Sequence, residues 1–399
     1  MNKKYKTIKL KKGKEIPINM KHHWIFSGSI DGNPDFENGE ILKILDYKNQ
    51  VLGYGYFNKK SQIIGRIISF GDKDPMGTLY NNILKSINMR FEVFDLKLTN
   101  CFRLINGEGD FIPGLIVDYY NSHLVLQIST IGIDKLKNYI VDKLLKIFKD
   151  RYSIKIQSIY EKSLMQAREK EGLDKTEGIL YGKLDEQLVV LENGIKFLVN
   201  IKDSQKTGFF IDQREMREFV QKLSKDKKVL NCFGYTGGFS IYAIKGNATK
   251  TCTIDISEKA IQNCKQNFII NNIDIQNHEF ISSDVFEYIQ NTKKLDYDLV
   301  ILDPPAFAKQ KKDIQKAINA YSELNRMFLL KMPKKSILCT SSCSYHVNTE
   351  TFLNILQKAA RQAKRNTRII QKHRLAIDHP INLNHPEIDY IKSFVIYIE

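Results

Sequence analysis

Apolar positions along this chain change their period several times, and each change marks a different kind of segment. Over residues 1–72 the apolar runs are short and extended. Ile41–Leu45, Val51–Tyr56 and Gln62–Ile68 read as strands, divided by turn residues such as Asn33-Pro34 and Asn38-Gly39. Gly53 and Gly55 interrupt the aromatic strand, which predicts a bulge or a tightly curled sheet. A small β-barrel is expected here. After Gly71-Asp72-Lys73-Asp74-Pro75 the spacing becomes helical over about 77–94, through Leu79, Ile83, Ile87, Met89 and Phe91. Cys101–Ile105, Leu115–Tyr120 and Leu124–Ser129 are extended, 132–149 is helical, and Ile154–Tyr160 is extended again. That pattern predicts a compact mixed α/β unit. Leu188–Leu191 and Ile195–Val199 flank Asn193-Gly194, a hairpin signal.

From about residue 205 strands and helices alternate, the mark of a doubly wound sheet. The strands are Val229–Phe233, Thr251–Ile256, Leu299–Leu302 and Ser336–Thr340, with two further extended runs at Arg368–His373 and Ser393–Ile398. The clearest helix spans 258–272, with Ser257 as N-cap and Ala260, Ile261, Cys264 and Phe268 on one face. No internal repeat or low-complexity tract is evident.

Composition narrows the class. With 399 residues, 42% hydrophobic and 27% charged, the chain reads as a soluble globular protein of two or three domains. No apolar run approaches membrane-spanning length. Lys3, Lys4 and Lys6 open the chain without a following apolar stretch, so no secretory signal is read. Six cysteines in this length do not make a disulfide framework, and a reducing cytoplasm is the expected setting. Cys339 and Cys343 form a lone CxxxC with no second pair, so no metal site is expected. Lys and Arg exceed Asp and Glu by 61 to 45, a formal charge of +16. Such a field favours a polyanionic partner, although part of the excess reflects a chain rich in Lys, Ile and Asn throughout.

The strand at 229–233 runs into Gly234-Tyr235-Thr236-Gly237-Gly238 and then a helix. Glycines there let the backbone turn sharply and approach a ligand. Asp255 ends the next strand, where an acid accepts hydrogen bonds from ribose hydroxyls. The spacing is not G-x-G-x-x-G, which disfavours a dinucleotide with its pyrophosphate. S-adenosylmethionine, an adenosine cofactor without phosphates, fits. Asp284-Val285-Phe286 follows the third strand and offers Asp284 to the adenine edge. A glycine turn alone is a common structural feature; turn, acid, acid and Asp303-Pro304-Pro305 on successive strands are a more specific set.

Two runs carry the chemistry. Asp303-Pro304-Pro305-Ala306-Phe307 leaves one strand as a stiff loop that shapes a slot for a planar ring, with Phe307 available to stack on an extruded base. Ser342-Cys343-Ser344 leaves another strand on the same rim. Cytosine C5 is a poor nucleophile until a thiolate adds to C6, and Cys343 is placed to be that thiolate. Asp303 would hold the N3/N4 edge of the base. Free cysteines are more often small buried residues, and His346 nearby is as readily a local hydrogen-bonding group.

With these residues in place, the chain resembles the bacterial 23S ribosomal RNA large-subunit cytosine-C5 methyltransferase family that carries an N-terminal PUA domain. Lys21-His22-His23-Trp24-Ile25-Phe26-Ser27-Gly28 is similar to the opening of the family's PUA barrel, with His23 where proline is common. Phe102–Asp110 and Pro113–Asp118 are similar to its central domain, and Gln205–Arg214 to the approach to its catalytic domain. Asn231–Gly238, Asp303–Phe307 and Ser342–Ser344 resemble its cofactor turn and catalytic loops. The resemblance implies an α/β fold: a PUA-like RNA-binding β-barrel over 1–73, a small mixed α/β domain over 74–186, and a Rossmann-like class I methyltransferase domain over 187–399. It implies S-adenosylmethionine as cofactor, held by Phe210, Asp212, Asn231, Phe233, Gly234, Tyr235, Thr236, Gly237, Asp255, Ile256, Asp284, Val285 and Asp303. It implies Cys343 and Asp303 as catalytic residues, and Pro304, Pro305, Phe307 and Arg214 against the substrate. The implied partner is 23S ribosomal RNA or an assembling large subunit. The oligomeric state stays open, a homodimer included.

Other RNA cytosine-C5 methyltransferases carry a second cysteine in the Asp-Pro-Pro loop for product release, whereas this loop has Ala306. Two rival readings remain. A guanine methyltransferase of similar build would share the loop but need no thiolate. A non-catalytic RNA-binding assembly factor would need neither the acids nor Cys343. A small-molecule methyltransferase leaves the basic charge and the extra barrel without a task.

Overall fold

Five extended runs between Thr7 and Phe70 join edge to edge in one sheet. The computed structural model describes residues 5–308 and 310–399. In that first sheet Thr7–Lys9 pairs in parallel with Ile41–Leu45, and the order continues through Val51–Phe57 and Gly65–Phe70 to Trp24–Ile25, all antiparallel. The ladder slips between Tyr54 and Gly55, which is the expected irregularity in the glycine-bearing strand. Ile8, Leu10, Ile25, Leu42, Ile44 and Phe57 fill its interior. Thr7–Lys9 and Trp24–Ile25 escape a sequence reading because three and two residues are too short to show a period.

A helix over Pro75–Val93 follows, capped by Asp74, whose carboxylate accepts from the Gly77 N–H at 2.6 Å. A second five-stranded sheet comes next, in the order Thr176–Gly182, Ser158–Ser163, His123–Ile128, Leu115–Tyr120, Cys101–Asn106. The single helix expected at 132–149 is two, Ile131–Lys135 and Lys137–Tyr152. Extended structure expected from Ile154 begins as a strand at Ser158. Leu188–Glu192 and Ile195–Val199 form the hairpin about Asn193-Gly194.

The chain divides into two compact units. The first is Met1–Gly194, Val199–Ile211 and Asp378–Ile388; the second is Ile195–Leu198, Asp212–Ile377 and Asp389–Glu399. Within the first, Asp378–Ile388 is tied to residues far away in sequence. Arg90 donates to both Asp110 oxygens, at 2.6 and 2.7 Å, and to the Asp378 carbonyl at 2.8 Å. The Arg103 N–H donates to Asp378 Oδ2 at 2.7 Å. The Trp24 indole N–H donates to Glu108 at 2.9 Å, and its ring meets His385 edge-on at 4.4 Å. His22 accepts from the Trp24 backbone N–H at Nδ1, 3.2 Å, so its Nε2 carries the proton facing Glu387, also at 3.2 Å. His23 is buried and bonds the Ile67 carbonyl at 2.7 Å.

The second unit is built on a seven-stranded sheet. Its strands are β1 (Lys228–Cys232), β2 (Lys250–Asp255), β3 (Glu279–Ser282), β4 (Leu299–Leu302), β5 (Ile337–Ser342), β6 (Thr367–His373) and β7 (Lys392–Ile398). Their order is β3-β2-β1-β4-β5-β7-β6, with β1 to β5 parallel and β7 antiparallel to both neighbours. The helices are α1 (Arg214–Leu223), α2 (Gly238–Lys245), α3 (Glu258–Ile270), α4 (Val285–Asn291), α5 (Ile314–Lys331) and α6 (Thr349–Gln362). Strand alternation sends Leu299 and Ile301 toward Met216 and Val220 of α1 on one face. Val300 and Leu302 face Ile289, Phe328 and Phe352 on the other. Both faces are covered, so these parallel strands read as unbroken apolar runs. Ser257 caps α3 as expected, accepting from the Ala260 N–H at 3.2 Å. Among the described residues no helix is long and apolar enough to cross a membrane.

Candidate active site

Strand register lines up the carboxyl ends of the second unit's sheet. Thr340, Leu302, Cys232, Ile254 and Ile281 stand side by side on β5, β4, β1, β2 and β3. The residues that follow them are the ones with chemistry to offer. The order reverses between β1 and β4, where an open α/β sheet leaves a crevice for ligands.

The turn after β1 is tightly made. Phe233, Tyr235 and Gly237 all have positive φ, at 59°, 47° and 81°. For phenylalanine and tyrosine this is a sparsely populated conformation that surrounding contacts must hold. The holding contacts are visible. The Tyr235 N–H donates to Asp255 Oδ2 at 2.9 Å, the Gly234 N–H to the Ile254 carbonyl at 2.9 Å, and Asn267 Nδ2 to the Thr236 carbonyl at 2.9 Å. A Cβ on Gly234 would stand 2.4 Å from Thr253 Cγ2, and one on Gly237 2.3 Å from Cys264 Sγ. The turn therefore lies flat on β2 and α3. Asn231, fully buried, donates to Ser240 at 3.0 Å and fastens the start of α2.

Asp255 Oδ1 accepts from the Ser257 N–H at 2.9 Å, so each carboxylate oxygen already holds a backbone donor and keeps a further lone pair. Next to it Ile256 is 72% exposed, an apolar side chain standing in the open at the end of β2. Asp284 caps α4 through Oδ1, which accepts from Phe286 and Glu287 N–H groups at 2.8 and 3.0 Å. Val285 is buried beneath it. A flat backbone turn, two carboxylates and an exposed aliphatic face between them suit an uncharged purine with its ribose. They offer no cluster of cationic side chains for phosphates. The donor set fits S-adenosylmethionine.

The structure brings the Asp-Pro-Pro loop and the Ser342-Cys343-Ser344 run together. Cys343 Sγ lies 3.7 Å from the Pro304 carbonyl oxygen. Cys343 is half-buried, while the other five cysteines are buried. Burial pushes the thiols of Cys252 and Cys264 up to about 12, and those of Cys232 and Cys339 well upward too. The serines on either side anchor the loop. Ser344, fully buried, joins the Tyr321 hydroxyl at 3.0 Å and accepts from the Ala308 N–H at 3.2 Å. Ser342, also buried, ends β5, two residues beyond the strand end expected from sequence. His346 is half-buried with its ring 5.2 Å from that of Tyr345. Pro304 is buried and Pro305 exposed; Phe307 is half-buried, its ring 4.6 Å from that of Tyr321. Asp303 accepts from Gln213 Nε2 at 3.0 Å. Gln213 lies between Asp212 and Arg214, both singled out from the sequence, as Gln213 is not.

Asp212 is buried and accepts from the Tyr390 hydroxyl at 2.7 Å. Arg214 is buried at the start of α1. Phe210 belongs to the first unit, where the Lys206 ammonium lies 4.5 Å from its ring centre. Lys392, at the start of β7, was not singled out by sequence; the only sign of it is a charge inside the apolar run Tyr390–Ile398. It is 4% exposed and donates to the Ser344 carbonyl at 2.8 Å.

Comparison with known proteins agrees with this geometry. Residues 161–369 match the family model of S-adenosylmethionine-dependent methyltransferases, and residues 8–70 that of PUA-like domains. The ribosomal RNA large subunit methyltransferase I of Tolumonas auensis is 35% identical over 401 residues, covering 98% of each chain. That of Aliivibrio fischeri is 36% identical over 399 residues, covering 97% of this chain and 98% of its own. A solved structure from Streptococcus mutans, described as a SAM-dependent methyltransferase, has a TM-score of 0.82 at 24% identity, covering 98% of this chain and 99% of its own. Another solved methyltransferase structure, a complex with SAH, has a TM-score of 0.84 at 24% identity and the same coverage. The chain is thus an S-adenosylmethionine-dependent methyltransferase with a PUA-like domain, and it belongs to the family of the ribosomal RNA large subunit methyltransferase I proteins.

Proposed function

We propose that this protein methylates C5 of one cytidine in 23S ribosomal RNA, in the cytoplasm, through a covalent bond between Cys343 and C6 of the base. The observation that carries the reading is the placement of a half-exposed Cys343 thiol 3.7 Å from the Pro304 carbonyl of the Asp-Pro-Pro loop. Methylation of a ring nitrogen or an amino group needs no nucleophile there. The relatives' names give ribosomal RNA as the substrate class, and the +16 charge suits it. Residues 1–73 are then the RNA-binding barrel, 74–186 the connecting domain and 187–399 the catalytic one.

In this scheme Pro304, Pro305 and Phe307 wall a slot for the extruded base, with Arg214 on the substrate side. Asp303, oriented by Gln213, holds the N3/N4 edge and favours the protonated ring that accepts attack. The Cys343 thiolate adds to C6, and the electron density moved to C5 makes that carbon the nucleophile. The bound cofactor supplies an electrophilic methyl group. The glycine turn from Asn231 to Gly237, with Asp255, Ile256, Asp284 and Val285, holds it; Phe210 and Asp212 are the further cofactor contacts implied by the family. A base or water takes the C5 proton, the C5–H pair re-forms the C5–C6 double bond, and the C6–S pair returns to sulfur and frees Cys343. With Ala306 in the loop, no second cysteine assists that release.

The test is to incubate the protein with labelled S-adenosylmethionine and unmodified 23S RNA, digest, and identify the labelled nucleoside. The expected product is 5-methylcytidine, absent with Cys343→Ala although cofactor still binds. Label in a methylguanosine would overturn the covalent scheme. Cofactor binding without label in naked RNA or in assembling particles would point to an assembly factor.

A further inference from the structure

We infer that Lys392 is the positioning residue of the Cys343 nucleophile: its buried ammonium, fixed on the loop that carries Cys343, holds that side chain as a thiolate. The inference rests on the covalent reading above and deepens it.

Lys392 and the cysteine loop are tied at two points. In the antiparallel ladder of β5 and β7 its Cα is paired with that of Ser342. Its Nζ donates to the carbonyl of Ser344 at 2.8 Å. Cys343 is therefore flanked by a residue paired with Lys392 and a residue bonded by its head group. The side chain is 4% exposed. An ammonium has three donors, and taking it out of water is costly unless an anion or several acceptors replace the water. Among the described residues the acceptor facing it is one neutral carbonyl, that of Ser344, which leaves donors to be matched. The charged and titratable groups acting on it are Cys343 and Arg374. Burial is the largest influence and brings Lys392 down from 10.5 to about 8, with Arg374 pushing the same way and a Cys343 thiolate pushing back. Arg374 is itself ion-paired with Asp389. The thiolate is thus the anion that this lysine is built to face, and the stabilisation runs equally in both directions.

The balance is simple. Cys343 releases its thiol proton to solvent when the ion pair forms. Sulfur gives its electron pair to C6 and receives it back on elimination. Lys392 stays protonated and exchanges neither proton nor electron across the cycle.

The experiment is the pH profile of iodoacetamide alkylation at Cys343, followed on its peptide by mass spectrometry in the full-length protein without RNA or cofactor. The five buried cysteines leave this signal distinct. The wild-type rate is expected to titrate below the ordinary thiol range of about 8.5. Lys392→Met should move the profile upward and slow alkylation at neutral pH on the order of tenfold, while Lys392→Arg restores most of it. A wild-type profile in the ordinary range, or a Lys392→Met profile equal to wild type, overturns the inference. Should Lys392→Met fail to fold, the wild-type and Lys392→Arg profiles decide. A shifted profile with a product other than 5-methylcytidine would sink the covalent reading and leave the ion pair standing; 5-methylcytidine with an unshifted profile would do the reverse.

Discussion

The side-chain amide of Gln213 donates to Oδ1 of Asp303 at 3.0 Å, joining the segment before α1 to the acid that leaves β4. A neutral donor on that oxygen fixes which way the carboxylate faces without cancelling its charge. Gln213→Leu is expected to lower turnover on the order of tenfold while cofactor affinity falls less, because orientation and not contact is lost. Single-turnover kinetics beside calorimetric cofactor binding would check it. Equal losses in both would make Gln213 a part of the cofactor site.

Gly234 should tolerate no side chain as things stand. An alanine Cβ would meet Thr253 Cγ2 at 2.4 Å and lift the turn off β2. Gly234→Ala is expected to abolish cofactor binding measured by calorimetry. Adding Thr253→Ser removes that methyl while keeping the hydroxyl bonded to Ser240 at 2.7 Å, so the double variant should recover part of the affinity. No recovery would mean that the neighbouring Asn231 contact, at 3.0 Å, sets the limit.

His23 makes the first unit acid-sensitive. Burial lowers it from 6.5 to about 4, against the Ile67 carbonyl, which favours the charged form. The folded state therefore binds this proton less readily than the unfolded chain. The stabilisation is whole above pH 6.5 and is lost as pH falls toward 4, to a limit of about 3 kcal/mol. Trp24, the chain's single tryptophan, lies in this unit, so its fluorescence can follow urea unfolding there. His23→Gln should flatten the dependence between pH 6.5 and 4; an unchanged slope would assign the acid sensitivity to other groups.

Arg90 and Asp110 form a buried bidentate pair that also holds the Asp378 carbonyl. Arg90→Met leaves the carboxylate buried without its cation, at a cost of about 3–5 kcal/mol. Arg90→Met combined with Asp110→Asn should be milder than the single change. The same Trp24 signal measures both, and a double variant as unstable as the single would show that the Asp378 contact carries the loss.

Most of the catalytic sheet was legible because its strands are apolar on both faces and end in punctuation: Gly234, Asp303 and Cys343 follow, and Asp255 ends, strands placed within two residues of where they form. Ser257 announced α3 in the same way. What stayed hidden depends on distance in sequence. Gln213 and Asp303 lie 90 residues apart, and Lys392 and Ser344 are 48 apart with a strand between them. A polar residue shows its partner only when the chain has folded. The strands Thr7–Lys9 and Trp24–Ile25 were missed for a different reason, since two or three residues carry no period.

The return of Asp378–Ile388 to the first unit sets the timetable of synthesis. Arg90 emerges from the ribosome 288 residues before the Asp378 carbonyl it will hold, and His22 precedes Glu387 by 365. In the other unit β6 waits for β7, which takes its place between β5 and β6 only once Lys392–Ile398 has been made. Neither unit is finished until residues 378–399 are translated. A chain stalled before Asp378 therefore exposes two incomplete bodies at once, and any protease or chaperone that surveys nascent chains meets both until residues 378–399 have been made.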